Sequence, residues 1–177
     1  QDTRIARGVR LASRGELGQV MDFYTIETPL GPITLRADSI GLTGVEIDSS
    51  HPVSKETPAS GVLADAADQL REYFAGQRKS FDLPVSVEGT PFQKAIWHAL
   101  LDIPYGEVLS YGELGAHAGH PGAARAVGGA VGANPIPIII PCHRVLGSTG
   151  RITGYSGGNG IPTKKMLLDL EGIDCRN

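Results

Sequence analysis

The sequence predicts an α/β (α+β) chain in two parts: a small α/β unit with an antiparallel sheet, then a mainly helical unit containing a helix-turn-helix. Residues 22–47 alternate polar with β-branched and aromatic residues, as half-buried strands do. Residues 90–133 instead carry helix caps and helical apolar spacing. The pattern changes near Glu88–Thr90, and 177 residues suffice for two small domains. The expected boundaries are 1–21 for a basic arm, 22–88 for the first domain and 89–177 for the second.

The arm carries Arg4, Arg7, Arg10 and Arg14 at a spacing that suits one face of a short helix, or else it is a mobile leader. It lacks the apolar stretch of a signal peptide. "FYTIETPLGPITLRA" reads as a hairpin punctuated by Gly31-Pro32, and "GLTGVEI" as a third strand. A loop follows. Val62, Leu63, Ala66, Ala67, Leu70 and Phe74 then form a helical stripe that stops at Gly76. "FDLPVSV" reads as a strand, and Pro84 within it predicts a sheet edge.

In the second part Thr90 is an N-cap with Pro91 at the first helical position. Ser110 and Glu113 form a capping box for the next helix. "HPG" turns the chain into "AARAVGGAVGAN", and the two short helices make the helix-turn-helix. A last helix is expected over "PTKKMLLDLEG".

Composition is that of an ordinary globular protein, 41% hydrophobic and 20% charged. A net charge of −3 gives no global basic footprint, so any case for nucleic acid must be local. Residues 90–160 hold four Lys/Arg against three Asp/Glu, a net of +1. No run is long enough to span a membrane. Two cysteines, Cys142 and Cys175, do not make a secreted disulfide framework, so a reducing, cytoplasmic setting (nuclear in a eukaryote) is expected.

Two stretches are unusual. The second helix of the pair holds Gly128, Gly129 and Gly132, each costing about 1 kcal/mol against alanine in a helix interior. Such small residues let a surface approach closely: either a neighbouring helix or a nucleic-acid groove, with Arg125 as the one long side chain. An Ala/Gly face suits the minor groove better than major-groove readout, which needs polar side chains. The second stretch is "IIIPCHRV", an apolar run read as a buried strand that ends in Cys142, His143 and Arg144. A lone buried cysteine is usually a small hydrophobe. Here an adjoining imidazole and the stiffening Pro135, Pro137 and Pro141 favour a reactive thiol. Too few further ligands lie nearby for a metal. A thiol hydrolase with an incidental helix pair remains open on spacing alone.

The motifs "SYGELG" with Tyr111, "ARAVGGA" with Arg125, "NP" at Asn134, "IPCHRV" with Cys142, "GYSGG" at 154–158 and "LLDLEG" with Glu171 stand in one order. In these, over about residues 90–172, the chain resembles the O6-alkylguanine-DNA alkyltransferases, the methylated-DNA–protein-cysteine methyltransferases. The resemblance implies an RNase H-like first domain and a winged-helix-like second domain that binds DNA and transfers the alkyl group. It implies DNA repair by single-turnover, irreversible transfer of an alkyl group from O6-alkylguanine, and from O4-alkylthymine, to Cys142 after base flipping. No cofactor and no metal are expected. The partner is double-stranded DNA bound from the minor groove by a monomer, with cooperativity on DNA left open.

The resemblance also assigns roles. Cys142 is the nucleophile, and His143 the base acting through a water, oriented by Glu171. Tyr111 donates to the flipped base. Arg125 fills the gap in the stack, with Ala124, Ala126 and Gly128 on the DNA face. Val131, Val145, Tyr155 and Ser156 form the substrate pocket, and Asn134 is a structural hinge. Gly132 replaces a basic residue of some members, and the zinc ligands some carry have no evident counterpart. Arg144 is expected to brace the loop through a salt bridge. The competing reading is a non-catalytic alkyltransferase-like lesion binder. Such relatives typically carry Trp where this chain has Cys142.

Overall fold

The alternating segment folds as a three-stranded antiparallel meander of β2 (Asp22–Thr28), β3 (Gly31–Ala37) and β4 (Leu42–Ile47). The computed structural model describes residues 8–13, 22–58 and 61–175. The β2–β3 turn sits at Pro29-Leu30, and Gly31 closes it at φ 84°, in the left-handed region that favours glycine. A Cβ there would also meet Asp48 Oδ1 at 3.0 Å.

Two strands extend this meander in parallel. β5 (Pro84–Val87) pairs with β4 at Leu42↔Val85, and β1 (Arg10–Ser13) pairs with β5 from Arg10↔Pro84 to Ser13↔Val87. The sheet order is β1-β5-β4-β3-β2. Both findings differ from the sequence reading. Pro84 does not mark an edge, because it is the first residue of its strand, where a missing N–H is tolerated. Residues 10–13, expected in a helix or mobile arm, form the edge strand. Arg4, Arg7 and Arg14 lie outside the described residues. Helix α1 (Val62–Phe74) packs on β2 and β3 through Leu63, Ala66, Ala67, Leu70 and Tyr73. Tyr73, not Phe74, is its fully buried aromatic.

The second domain begins at α2 (Pro91–Leu101), where Thr90 and Gln93 form a reciprocal capping box at 3.1 and 3.0 Å. The predicted box at Ser110 and Glu113 starts α3 (Tyr111–His117), with bonds of 3.0 and 2.9 Å. Helix α4 (Ala124–Gly132) completes the helix-turn-helix. The two helices approach closely only because residue 115 is glycine: a Cβ there would lie 2.9 Å from His120 O and 3.0 Å from Val127 Cγ2. Strands β6 (Leu109–Ser110) and β7 (Val145–Leu146) pair in parallel, and α5 (Ile161–Leu170) closes the domain.

The apolar run 138–140 is buried, as expected, but is not a strand. It is a tight turn with Ile140 N donating to Ile136 O at 2.9 Å and a single bridge between Pro137 and Ile140. The cause is the proline spacing, since Pro135, Pro137 and Pro141 remove three of the seven amides over 135–141 that a ladder would draw on. Ile138 is held at φ 72°, a strained conformation for a β-branched residue. The same segment fastens the domains together, because Val45 N of β4 donates to Pro135 O at 3.0 Å. One continuous core runs through both, from Ile26, Leu35 and Leu70 to Trp97, Ile140 and Cys142. Among the described residues no helix is long and apolar enough to cross a membrane.

Candidate active site

Cys142 opens a single 3-10 turn, Cys142–Arg144, directly after Pro141, and all three of its side chains are buried. The sulfur faces a cavity of about 300 Å³ lined by Tyr111, Gly128, Val131, Gly132, Cys142, Gly154, Tyr155 and Ser156. Helix α3 contributes Tyr111 at its first position, α4 one wall, and the Gly-rich loop before α5 the other. Two larger clefts, of about 440 and 540 Å³, lie beside Phe23 and Val62 and beside Lys79 and Ile139; Cys142 is not among their lining residues.

Among the described residues the glycines of α4 make room for no close-packed neighbour. A Cβ at Gly129 or Gly132 would meet nothing, and at Gly128 only the Tyr111 ring in ordinary contact at 3.9 Å. These small residues keep the cavity mouth and its outer face open. Ala124, Arg125 and Ala126 are exposed on the first turn of the same helix. Ser156 Oγ donates to Gly132 O at 3.0 Å, bridging the two walls.

Asn134, buried at the end of α4, donates from Nδ2 to Ile140 O at 2.8 Å and accepts at Oδ1 from Ile136 N at 2.9 Å. It thereby ties the helix-turn-helix to the turn that carries Cys142, and its side chain also acts on the Cys142 thiol. Val145 is fully buried in β7 behind the cavity wall, and its carbonyl accepts from Lys164 Nζ at 2.6 Å.

Behind the sulfur lies a buried ionic cluster. His143 Nε2 and Glu171 Oε2 are 2.5 Å apart, both side chains wholly buried. Glu171 also accepts from Tyr73 Oη at 2.7 Å, Arg144 Nε at 2.8 Å, Arg144 Nη2 at 3.2 Å and Gly106 N at 3.1 Å. Burial alone would raise the Glu171 pKa, but His143, Arg144 and Tyr73 together pull it down to about 2. Glu171 is therefore an acceptor only, and that fixes the imidazole tautomer: Nε2 carries the proton and Nδ1 the lone pair. Nδ1 is buried and has no hydrogen-bond partner among the described residues. Burial holds His143 below its usual pKa, against the pull of Glu171, so the ring rests neutral. Arg144 braces the loop as expected, adding a bond from Nη1 to Ile103 O at 2.7 Å.

Burial pushes the Cys142 thiol up, while Asn134, Tyr155 and Lys164 favour the thiolate. The Tyr155 hydroxyl, buried and without a regular hydrogen-bond partner, exerts its influence on that sulfur. The resting site thus holds a neutral thiol and a neutral base, surrounded by groups that favour charge on sulfur.

Two residues of this arrangement escaped the sequence reading. Lys164, 1% exposed, donates to Val145 O and, at 3.0 Å, to Gly154 O, joining both sides of the site; burial lowers its pKa to about 8. Tyr73 reaches Glu171 from the first domain. Neither carries a sequence signal, because each becomes special only through tertiary contact. Among the described residues no group of three or more potential metal ligands occurs.

Residues 91–173 match the family 6-O-methylguanine DNA methyltransferase, DNA binding domain, and residues 21–87 match its ribonuclease-like domain. The methylated-DNA–protein-cysteine methyltransferase of Mycobacterium tuberculosis is 48% identical over 155 residues, covering 86% of this chain and 93% of that protein. The constitutive enzyme of that name from Bacillus subtilis is 44% identical over 167 residues, covering 88% and 99%. The crystal structure of Mycobacterium tuberculosis OGT in complex with DNA superposes with a TM-score of 0.74 at 48% identity, covering 85% and 92%. With both family domains matched in order and relatives of this identity covering most of its length, the chain belongs to the methylated-DNA–protein-cysteine methyltransferases, which repair DNA by alkyl transfer.

Proposed function

We propose that Cys142 is the residue that takes the alkyl group, that His143 is its base and that Glu171 fixes His143 in the working tautomer. The observation that carries this is the placement of the Cys142 sulfur at the floor of the 300 Å³ cavity, with an imidazole–carboxylate pair directly behind it. The target oxygen is hidden inside a duplex, so the base must swing out, at a cost of a few kcal/mol. Arg125, exposed on α4, is the wedge that fills the gap. Ala124, Ala126 and Gly128 let that helix sit in the minor groove, and the chain acts there as a monomer. A cytoplasmic setting suits a protein that needs a reduced thiol.

Once the base enters, the thiol proton passes through a water to His143 Nδ1, the ring nitrogen left with a lone pair. The thiolate attacks the alkyl carbon in line; the carbon–oxygen bond breaks and the electron pair stays on the guanine. Donors from Tyr111 and Ser156 at the cavity wall stabilise that developing charge. The product is a thioether with no acyl carbon for water to attack, so the thiol is not regenerated and one chain repairs one lesion.

The test is to incubate the protein with duplex DNA carrying labelled O6-methylguanine and to digest it. The expected result is label on the peptide holding Cys142, saturating at about one per chain, and none with Cys142→Ala. Turnover beyond one, or label elsewhere, overturns the assignment.

A further inference from the structure

We propose that Tyr73, in α1 of the first domain, is a positioning residue for the transfer reaction: its hydroxyl shares the Glu171 oxygen that holds His143, and so sets how readily His143 takes a proton. This rests on the reading of His143 as the base. The first domain then contributes one functional group to chemistry that is otherwise housed in the second.

The geometry is specific. Tyr73 is wholly buried, 98 residues from Glu171, and donates to Oε2 at 2.7 Å. Its ring is fixed by Phe81 at 5.5 Å, Phe74 at 5.4 Å and Tyr105 at 6.2 Å between centroids. A phenylalanine would serve that packing equally well, and burying a hydroxyl is unfavourable unless it is hydrogen-bonded. The hydroxyl can act here only as a donor, because Glu171 is ionised, and burial together with that neighbouring negative charge keeps the phenol protonated. Oε2 therefore serves three donors at once: Tyr73, His143 and Arg144 Nη2.

Every donor on Oε2 draws charge from it and weakens its attraction for a protonated imidazole. The other groups that face the His143–Glu171 pair are few. Arg144 comes from the 3-10 turn and Tyr105 from the α2–β6 connection, with Lys79 over the Tyr105 ring. Lys164 comes from α5, and Cys142 precedes the histidine. None of these uncharged or cationic neighbours replaces the Tyr73 hydroxyl on Oε2. Its removal leaves that oxygen more strongly directed at His143, so the imidazolium is favoured and the base titrates at a higher pH. A shift of about one unit is a tenfold change in the neutral fraction of His143 below its pKa.

The experiment uses the full chain and Tyr73→Phe. Single-turnover transfer from an O6-methylguanine duplex is followed across about pH 5 to 9, with the His143 imidazole titrated by NMR in the same proteins. The expected result is a plateau rate within about threefold of the parent, with the acid limb and the imidazole titration both moved up by about one unit. Phe81→Leu, beside the same ring, should lower Tm and leave the limb in place. An unmoved limb and titration in Tyr73→Phe, or the same movement in Phe81→Leu, overturns the proposal. Full activity in His143→Phe would instead sink the base assignment, and this role with it. An impaired His143→Phe with an unmoved Tyr73→Phe limb sinks the role of Tyr73 alone.

Discussion

Replacing Glu171 by Gln removes one charge and almost no volume, and it should nearly silence the protein without unfolding it. Glu171 accepts five hydrogen bonds: from Tyr73, from His143, two from Arg144 and one from Gly106 N. A glutamine offers one oxygen and one NH2. Turning the NH2 toward Arg144 Nε and Gly106 N would set it against two donors that cannot reverse; on the Oε2 side only Arg144 Nη2, at 3.2 Å, is such a donor, since the Tyr73 hydroxyl can turn to accept, so the amide settles with its NH2 toward His143. The imidazole must then accept at Nε2, which places its proton on Nδ1, the nitrogen needed as base. Loss of a general base in this way costs about 10²–10⁴-fold in rate. Weakening the buried pair with Arg144 costs about 3 kcal/mol, roughly a 10 °C drop in Tm for a chain of this size. The assay is the single-turnover rate with duplex substrate, alongside Tm and DNA affinity. A folded Glu171→Gln protein that transfers within about threefold of the parent rate would refute the tautomer argument.

Three further outcomes are expected. Arg125→Ala should retain reaction with free O6-benzylguanine and slow repair in duplex DNA by about tenfold or more, since only the duplex needs a wedge; equal loss on both would make Arg125 structural. Lys164→Met keeps the buried stem but leaves Val145 O and Gly154 O without their donor and removes a cation that favours the Cys142 thiolate, so it should cost about 1–3 kcal/mol in stability and raise the thiol pKa, read by the pH dependence of iodoacetamide labelling. Stability should also fall in acid: the Glu171 pKa is depressed from 4.5 to about 2, so its contribution, about 3 kcal/mol, is complete above pH 4.5 and lost as pH falls toward 2. His143, depressed by burial, adds a loss beginning near its unfolded pKa of 6.5. Urea melts against pH test this, and Glu171→Gln should flatten the lower part of the curve.

Much of the site was legible because its chemistry is local in sequence. Pro141, Cys142 and His143 are adjacent, the caps at Thr90 and Ser110 locate both flanking helices, and the glycines of α4 are conspicuous against helix propensity. The parts that escaped depend on the third dimension. Lys164 and Lys165 are neighbours in one amphipathic helix, yet one is 1% exposed and the other open to solvent, and nothing in "PTKKMLL" says which. Tyr73 stood beside Phe74, and apolar spacing favoured the wrong one. The run "III" has the apolar character of a buried strand, but the prolines around it remove amides that a strand needs. Pro84 inside an apolar run points to a sheet edge, but its position at the start of β5 leaves the rest of that strand free to pair on both sides.

The bond from Val45 N to Pro135 O has a practical meaning. It adds the segment leading to Cys142 to the flank of β4, so the two domains are held by backbone pairing and a shared core as well as by the exposed peptide at Glu88–Thr90, whose Thr90 caps α2. That peptide crosses a joint already closed by other contacts and is not a hinge. A substitution that loosens α1 or β4 therefore also loosens the site, because the Tyr73–Glu171 contact, the Val45–Pro135 bond and the shared core all cross the same joint.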